Sequence, residues 1–242
     1  MKPKIGVTID SFNPELNKRG ADYSAYYWYA MRSHIINAVV KFGGIPVLLS
    51  HHIEIVDNYA DMLDGLVISG GGLDVPPEYY GEQPHKNFRP NIIRSTFEKA
   101  IAEQFITNKK PLLGICGGMQ LLVALYDGKL YQSLNEENCF DEHDQKPPYD
   151  NASHTVDYKL DTKLWSLIGK PRGSVGVNTV HKQGVKDAGR LVINAISTND
   201  NLIEGIEDPN HPFCIGVQWH PEFLCSEYDA QIFRQLIKHA QR

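Results

Sequence analysis

Cysteine is scarce in this sequence of 242 residues, and no long hydrophobic run occurs in it. The four cysteines form no C-x-x-C pair and are too few and too irregularly spaced for a disulfide scaffold. No stretch reaches the roughly 18 uncharged apolar residues of a membrane span, and the apolar run near the start is too short for a signal peptide. We therefore expect a cytoplasmic protein with reduced thiols, neither a disulfide-rich secreted domain nor a helical membrane protein.

Charge is not concentrated in any one stretch either. The 24 lysines and arginines and 29 aspartates and glutamates leave a net charge of −5 and are scattered along the chain. Nucleic acid and anionic membranes are not expected as partners, because both select clustered basic residues. With 42% hydrophobic residues, 22% charged residues, 20 glycines and 14 prolines, the composition is that of a globular protein. Its expected partner is a small solute or another protein.

Short apolar runs alternate with longer helical patterns through the first half of the chain. The predicted strands are residues 4–10, 45–49, 65–69 and 111–115. The predicted helices are residues 25–42, 54–63, 95–108 and 119–125. This alternation is typical of a parallel sheet that is covered by helices on both faces.

Strands dominate the second half. They are predicted around Tyr131 and at residues 154–160, 190–197, 202–206 and 213–219. A polar loop is predicted at residues 136–152 and an amphipathic closing helix at residues 226–241. Because neither a repeat nor a linker is visible, we predict one domain over residues 1–242. Its fold is a flavodoxin-like three-layer α/β/α arrangement, with a mainly parallel sheet to which the second half adds antiparallel strands.

The sharpest local pattern is Gly114-Ile115-Cys116-Gly117-Gly118, between a predicted strand and a predicted helix. A G-x-C-x-G in this position has the form of a nucleophile elbow, a sharp turn that strains the backbone of its central residue and needs small neighbours. The thiol then lies at a helix N-terminus, where the helix dipole and free amides favour the reactive thiolate. The alternative is a buried structural cysteine in a glycine-rich turn.

A base for this thiol is offered by His220, which directly follows a predicted strand. Glu222, two residues further on, can orient the imidazole ring. The spacing alone is a weak signal, because His52 and Glu54 share it and a single histidine is more often structural than catalytic.

A glycine-rich turn, Ser69-Gly70-Gly71-Gly72, follows another predicted strand. Its backbone amides could point at a developing oxyanion, or the turn could be an ordinary loop. It is not a phosphate loop, because no Lys-Ser or Lys-Thr follows and the G-x-G-x-x-G spacing fails. The pair His51-His52 and the histidine His143 match no zinc spacing. No nucleotide, metal or other cofactor is predicted.

Longer segments carry a family resemblance. GICGGMQ at residues 114–120 and GVQWHPEF at residues 216–223 resemble the signatures of class I glutamine amidotransferases. GGLDVPPEYYGE at residues 71–82 and VNTVHKQ at residues 177–183 are similar to one branch, the γ-glutamyl-γ-aminobutyrate hydrolase-like peptidases of family C26. KIGVT at residues 4–8 and FGGIP at residues 42–46 are also similar to that branch, so the resemblance spans nearly the whole chain.

The resemblance implies a role for each motif. Cys116 would be the nucleophile, His220 the general base and then the general acid, and Glu222 the residue that orients His220. The amides of Gly72 and Gly117 would form the oxyanion hole. The residues implied near the γ-glutamyl group of a small-molecule substrate are Gln120, Asn178, His181 and Gln183. On sequence alone, His181 could equally belong to a surface turn.

Two positions depart from the branch and leave the specificity open. The branch often carries Arg after the nucleophile, where this chain has Gly117, and a second His where it has Lys182. The first hypothesis is a free-standing hydrolase that cleaves γ-glutamyl amides through a thioester. The second is a glutaminase subunit that supplies ammonia to a separate synthetase partner, and the third is a catalytically inactive binding module. Whether the chain forms a homo-oligomer is also left open.

Overall fold

The computed structural model describes residues 1–12, 26–72, 74–89, 91–137 and 143–241. Five parallel strands form one part of its main sheet. In spatial order they are β4 (Ile45–Leu49), β1 (Lys4–Thr8), β5 (Gly65–Ile68), β6 (Leu112–Ile115) and β13 (Cys214–Val217). We call these strands the parallel part. Parallel strands need long crossovers, which here are the helices of the first half.

Antiparallel strands extend the sheet beyond β13. In order they are β12 (Ile203–Glu207), β11 (Val192–Ser197), β8 (His154–Tyr158) and β9 (Val175–Val177). A branch leaves β12 through β10 (Gly184–Asp187) to β7 (Lys129–Tyr131). We call these strands the antiparallel part. A separate two-stranded ribbon pairs β2 (Asp10–Phe12) with β3 (Trp28–Ala30).

Six helices are present in the described part of the chain. They are α1 (Ser33–Lys41), α2 (Val56–Met62), α3 (Ile92–Thr107), α4 (Gly117–Leu125), α5 (Lys163–Leu167) and α6 (Glu227–Ala240). The apolar residues of α1, α5 and α6 pack on one face of the sheet, and those of α2, α3 and α4 pack on the other. Successive strand residues alternate between the two cores, as Leu66, Val67 and Ile68 do. The predicted three-layer α/β fold is therefore confirmed, and none of these helices is long and apolar enough to cross a membrane.

The predicted helix over residues 25–42 is wrong in its first part. Residue 25 lies outside the described residues, Trp28–Ala30 is strand β3, and the helix begins only at Ser33. The aromatic run Tyr26 to Tyr29 has strand propensity rather than helix propensity, and Arg32 is held in an extended conformation with ψ 138°. The predicted strand over residues 4–10 also divides, because β1 ends at Thr8 and β2 starts at Asp10.

Three short elements of the second half have no counterpart in the sequence prediction, namely α5, β9 and β10. The other predicted strands of that half are present with ends shifted by at most two residues. Within the predicted loop over 136–152, residues 138–142 lie outside the described part. Its later part makes one isolated bridge, from Asp144 to Val180.

Candidate active site

Cys116 occupies the sharp turn between β6 and α4. Its backbone has φ +52° and ψ −108°, a conformation that a residue with a side chain rarely adopts. The turn is compact, because a Cβ on Gly114 would lie 2.7 Å from the carbonyl oxygen of Gly118, and one on Gly118 would lie 2.1 Å from that of Ile68. Both glycines are therefore required, and the predicted elbow geometry is present.

His220 follows β13, beside the turn that holds Cys116. Its Nδ1 lies 2.8 Å from Oε1 of Glu222, and both side chains are buried. Burial alone would lower the pKa of His220, but the Glu222 carboxylate and hydrogen bonding to Cys116 raise this pKa well above its usual range. The three residues that the sequence singles out for chemistry therefore come together, although they lie on two segments about a hundred residues apart.

Asn178 holds the backbone of His220 through two hydrogen bonds. Its Oδ1 accepts a hydrogen bond of 2.8 Å from the amide of His220, and its Nδ2 donates to the carbonyl of His220 at 3.1 Å. Nδ2 also donates to the carbonyl of Tyr149 at 2.7 Å. Because its amide is engaged in these bonds and buried, Asn178 positions the histidine.

The glycine-rich turn after β5 is held by Arg94, a residue that no sequence pattern indicates. Nη2 of Arg94 donates to the carbonyls of Ser69 at 2.9 Å and Gly70 at 3.1 Å. A trans peptide directs its C=O and N–H in opposite directions, so the amide of Gly71 points away from Arg94. The nitrogen of Gly71 lies 4.0 Å from where a Cβ on Gly117 would stand. The turn therefore presents backbone amides on the side of the elbow.

Arg94 itself is anchored by two carboxylates. Its Nε lies 2.8 Å from Glu98 one helical turn away, and its Nη1 lies 3.1 Å from Asp10. The guanidinium is buried, and a charge in such a place is stable only when it is paired and fully hydrogen-bonded. No local motif signals this role, because the groups that Arg94 joins lie on three separate segments.

The thiol of Cys116 borders two cavities. The first, which we call the aromatic cavity, has a volume of about 420 Å³ and is bounded by His220, Glu222 and the ribbon side chains Phe12 and Trp28. The second, the charged cavity, has a volume of about 270 Å³. Its charged lining residues are Asp74, Arg89, Asp144 and Lys182. Gly71, Gly72 and Val180 border both cavities, and the carbonyl of Val180 lies 3.8 Å from Sγ of Cys116.

Two of the predicted binding residues border the charged cavity but make internal hydrogen bonds. Nε2 of Gln120 donates to the carbonyl of Gln183 at 3.1 Å and to Oε1 of Gln218 at 3.0 Å. Oε1 of Gln183 accepts from the amide of Val75 at 3.3 Å. His181 also borders this cavity, yet its ring is buried and its Nε2 faces Glu204 at 3.5 Å. Direct contact of these side chains with a substrate stays a prediction.

Comparison with known proteins gives a consistent family. The model of the Peptidase C26 family matches residues 3–222. A putative glutamine amidotransferase-like protein of Rickettsia prowazekii is 31% identical over 98% of this chain and 97% of its own length. The γ-glutamyl-γ-aminobutyrate hydrolase of Escherichia coli is 32% identical over 82% of this chain and 80% of its own length.

Solved structures agree on the fold. A putative GMP synthase component from Thermoplasma acidophilum matches with a TM-score of 0.66 and 17% identity, over 100% of this chain and 95% of that one. The glutaminase domain of Trypanosoma brucei CTPS, with bound acivicin, matches with a TM-score of 0.62 and 15% identity, over 99% and 94%. At these identities the likeness concerns the fold alone.

Proposed function

The chain belongs to the Peptidase C26 family, and from this premise we propose that it is a cysteine hydrolase of γ-glutamyl amide bonds. The observation that carries the proposal is the arrangement of Cys116, His220 and Glu222 around one cavity. The substrates proposed are γ-glutamyl-γ-aminobutyrate and related γ-glutamyl amines or peptides.

Acylation would begin with attack by the sulfur of Cys116 on the γ-carbonyl carbon, forming a C–S bond. The carbonyl oxygen becomes an oxyanion, for which the amide of Gly117 and the amides of the 70–72 turn are the nearby donors. Each such donor is typically worth about 3 to 4 kcal/mol of the barrier. His220, whose raised pKa favours its protonated form, gives its proton to the departing amine as the C–N bond breaks.

Deacylation would return the enzyme to its starting state. Water attacks the γ-glutamyl thioester while His220 accepts one of its protons, and the C–S bond breaks, which leaves the sulfur and the protonated His220 as they were before the first attack. The net reaction consumes one amide and one water and releases glutamate and an amine. Glu222 holds the ring of His220 in one orientation through both steps.

The linings of the two cavities support a separate position for each end of the substrate. A γ-glutamyl group ends in an ammonium and a carboxylate, and the charged cavity offers Arg89 and Lys182 for the anion and Asp74 for the cation. The aromatic cavity also borders the thiol, and its lining includes Phe12, Trp28, Met31 and Ile35, the apolar kind of residue typical of small-molecule sites. We assign the γ-glutamyl end to the charged cavity and the departing amine to the aromatic cavity.

The test is glutamate release from γ-glutamyl-γ-aminobutyrate, other γ-glutamyl amines, γ-glutamyl peptides and glutamine. We expect at least one γ-glutamyl amine to be cleaved, and Cys116→Ala to lower the rate by roughly 10⁴-fold, because the covalent route is lost. The matched control is Cys225→Ser, which should retain activity. Burial raises the pKa of Cys225 to about 11, so this group stays a thiol at neutral pH.

Three outcomes would contradict the proposal. Equal activity of Cys116→Ala and the wild type would exclude the thiol as nucleophile. No release from any substrate, followed by glutamine hydrolysis when a synthetase is added, would favour a glutaminase subunit. No thioester on Cys116 by intact-protein mass spectrometry, with no turnover under any condition, would favour an inactive binding module.

A further inference from the structure

A cluster of buried histidines and carboxylates lies beside the 178–183 segment, to which its member His181 belongs. Its central members are His143, His181 and Glu204, whose side chains are 2%, 2% and 0% exposed. One nitrogen of each histidine and a carboxylate oxygen of Glu204 all lie within 4.8 Å of one another. No step of the proposed hydrolysis takes place at these side chains, and the predicted substrate contact of His181 does not explain its buried partners His143 and Glu204.

The distances inside the cluster are too long for good hydrogen bonds. Oε1 of Glu204 lies 3.6 Å from Nδ1 of His143 and 3.5 Å from Nε2 of His181. Nε2 of His181 and both oxygens of Glu204 are buried, with no hydrogen-bond partner among the described residues. In a tetrahedral zinc site with bonds of about 2.0 to 2.1 Å, two ligand atoms stand about 3.4 Å apart. The two separations from Glu204 are therefore close to those of atoms that share one metal ion.

The outer nitrogens of both rings are held by acceptors. Nε2 of His143 lies 2.8 Å from Oδ2 of Asp200, and Nδ1 of His181 lies 2.8 Å from the carbonyl of Gln183. Each outer nitrogen therefore carries a ring proton, and the inner nitrogen, which faces Glu204, is the atom that could ligate a metal ion. A carboxylate or a backbone carbonyl behind each histidine is the usual arrangement around bound zinc.

Two further side chains, those of Thr179 and His154, lie next to this cluster. The hydroxyl of Thr179 lies 3.4 Å from Nδ1 of His143 but donates to the carbonyl of His143 at 3.0 Å. Nε2 of His154 lies 3.8 Å from the second oxygen of Glu204. A divalent cation would be balanced by the carboxylates of Glu204 and Asp200.

We propose that Nδ1 of His143, Nε2 of His181 and the carboxylate of Glu204 bind one divalent transition-metal ion, with Zn²⁺ the best match. Two imidazoles and one carboxylate are a donor set that zinc accepts, and a solvent molecule would take the fourth position. The ion would hold neighbouring segments of the chain together. It would join β12 and the residues around His143 to the 178–183 segment, whose Val180 carbonyl faces the thiol of Cys116.

The test uses the untagged full chain, stripped with a chelator and dialysed against Zn²⁺. We expect one zinc per chain by elemental mass spectrometry, and a Co²⁺-loaded form with the strong visible absorption of a four-coordinate site. Glu204→Gln and His181→Gln should weaken zinc binding at least 100-fold, and Asp200→Asn by about 10- to 100-fold. Zinc should also raise the thermal unfolding midpoint of the wild type.

The matched control is His85→Gln, which removes a partly exposed histidine that lies at 3.0 Å from Glu136. This variant should bind zinc as the wild type does. If the wild type holds less than about a tenth of an equivalent of zinc and gives no Co²⁺ absorption, the site does not exist. That outcome needs no variant to fold, and it is independent of glutamate release. Unchanged zinc binding by a folded Glu204→Gln variant would also overturn the assignment.

Discussion

The parallel and antiparallel parts of the sheet are built on different principles. In the parallel part, strands β5, β6 and β13 are buried along their whole length and carry apolar side chains and glycine, with Cys214 as a thiol. In the antiparallel part, Asn194, Glu204 and Glu207 are also buried, although their side chains are polar or charged. The first part is specified by volume and close packing, and the second by the partners of its buried polar groups.

The stability of the two parts is therefore sensitive to different kinds of substitution. Where packing specifies the structure, an added methyl group is costly and a lost hydrogen bond is rare. Where buried polar groups specify it, removal of one donor or acceptor leaves its partner without a hydrogen bond. Substitutions of Arg94, Gly118 and Glu207 test this contrast, from the largest expected effect to the smallest.

Arg94 is an exception to this contrast, because it is a buried charge beside the parallel part, which is otherwise specified by packing. Arg94→Met should lower the free energy of unfolding by about 3 to 5 kcal/mol, since it leaves Glu98 and Asp10 without their cation. Because Arg94 also holds the glycine-rich turn, kcat should fall by more than KM rises. Denaturant unfolding and glutamate-release kinetics measure the two effects.

The control for Arg94 lies on the same helix. Lys99 and Glu103 form an ion pair with the same i to i+4 spacing, but both side chains are exposed. Lys99→Met should change the free energy of unfolding by no more than about 0.5 kcal/mol and leave kcat unchanged. Equal losses in the two variants would show that burial of the pair does not matter.

Gly118 tests the sensitivity of the parallel part to volume. In Gly118→Ala the new methyl carbon would meet the carbonyl oxygen of Ile68 at 2.1 Å, so we expect a loss of about 3 kcal/mol. The adjacent variant Gly117→Ala is the control, because its methyl carbon would have no neighbour closer than 3.8 Å. Gly117→Ala should be neutral or more stable by up to about 1 kcal/mol. Thermal unfolding of both variants compares them, and similar losses would contradict the steric argument.

Glu207 tests the antiparallel part at nearly constant volume. Its two carboxylate oxygens accept from the amides of Lys163 and Leu164 at 2.7 and 2.9 Å, and from Nδ2 of Asn194 at 3.1 Å. In Glu207→Gln one acceptor becomes a donor, so we expect a loss of about 1.5 kcal/mol. The exposed control Glu54→Gln should stay within about 0.5 kcal/mol of the wild type. Equal losses of unfolding free energy in the two variants, measured by urea denaturation, would show that the buried carboxylate does not determine the structure of the antiparallel part.

The sequence predicts the parallel part better than the antiparallel part, for a physical reason. A strand such as Leu112–Ile115 is buried on both faces and reads as a continuous apolar run. Strand β10, in contrast, has the sequence Gly-Val-Lys-Asp and pairs with β12 through a single residue, so tertiary contacts rather than local propensity place it. The helix predicted at Trp28–Ala30 is wrong because the pairing partner of this strand, Asp10–Phe12, is distant in sequence.

The residues of the candidate site also differ in whether the sequence predicts them. Cys116, His220 and Glu222 could be predicted because each lies in a short motif directly after a strand, where parallel strands bring residues to one edge. Arg94 could not, because its role depends on carbonyls of another segment. The structural roles of Asn178 and His181 also depend on long-range partners, namely the backbone of His220 and the carboxylate of Glu204.

The open space beside Gly117 makes this position a place where substrate choice can change independently of the fold. The residue lies in the first turn of α4, next to the nucleophile, and a methyl carbon attached to it would have glycine backbone at 3.8 Å as its nearest neighbour. A side chain added there would extend into the charged cavity without moving Cys116 or the glycines that enclose it. If the proposed function holds, a substitution at this one residue is therefore expected to change which compound is accepted while the strained turn around Cys116 stays intact.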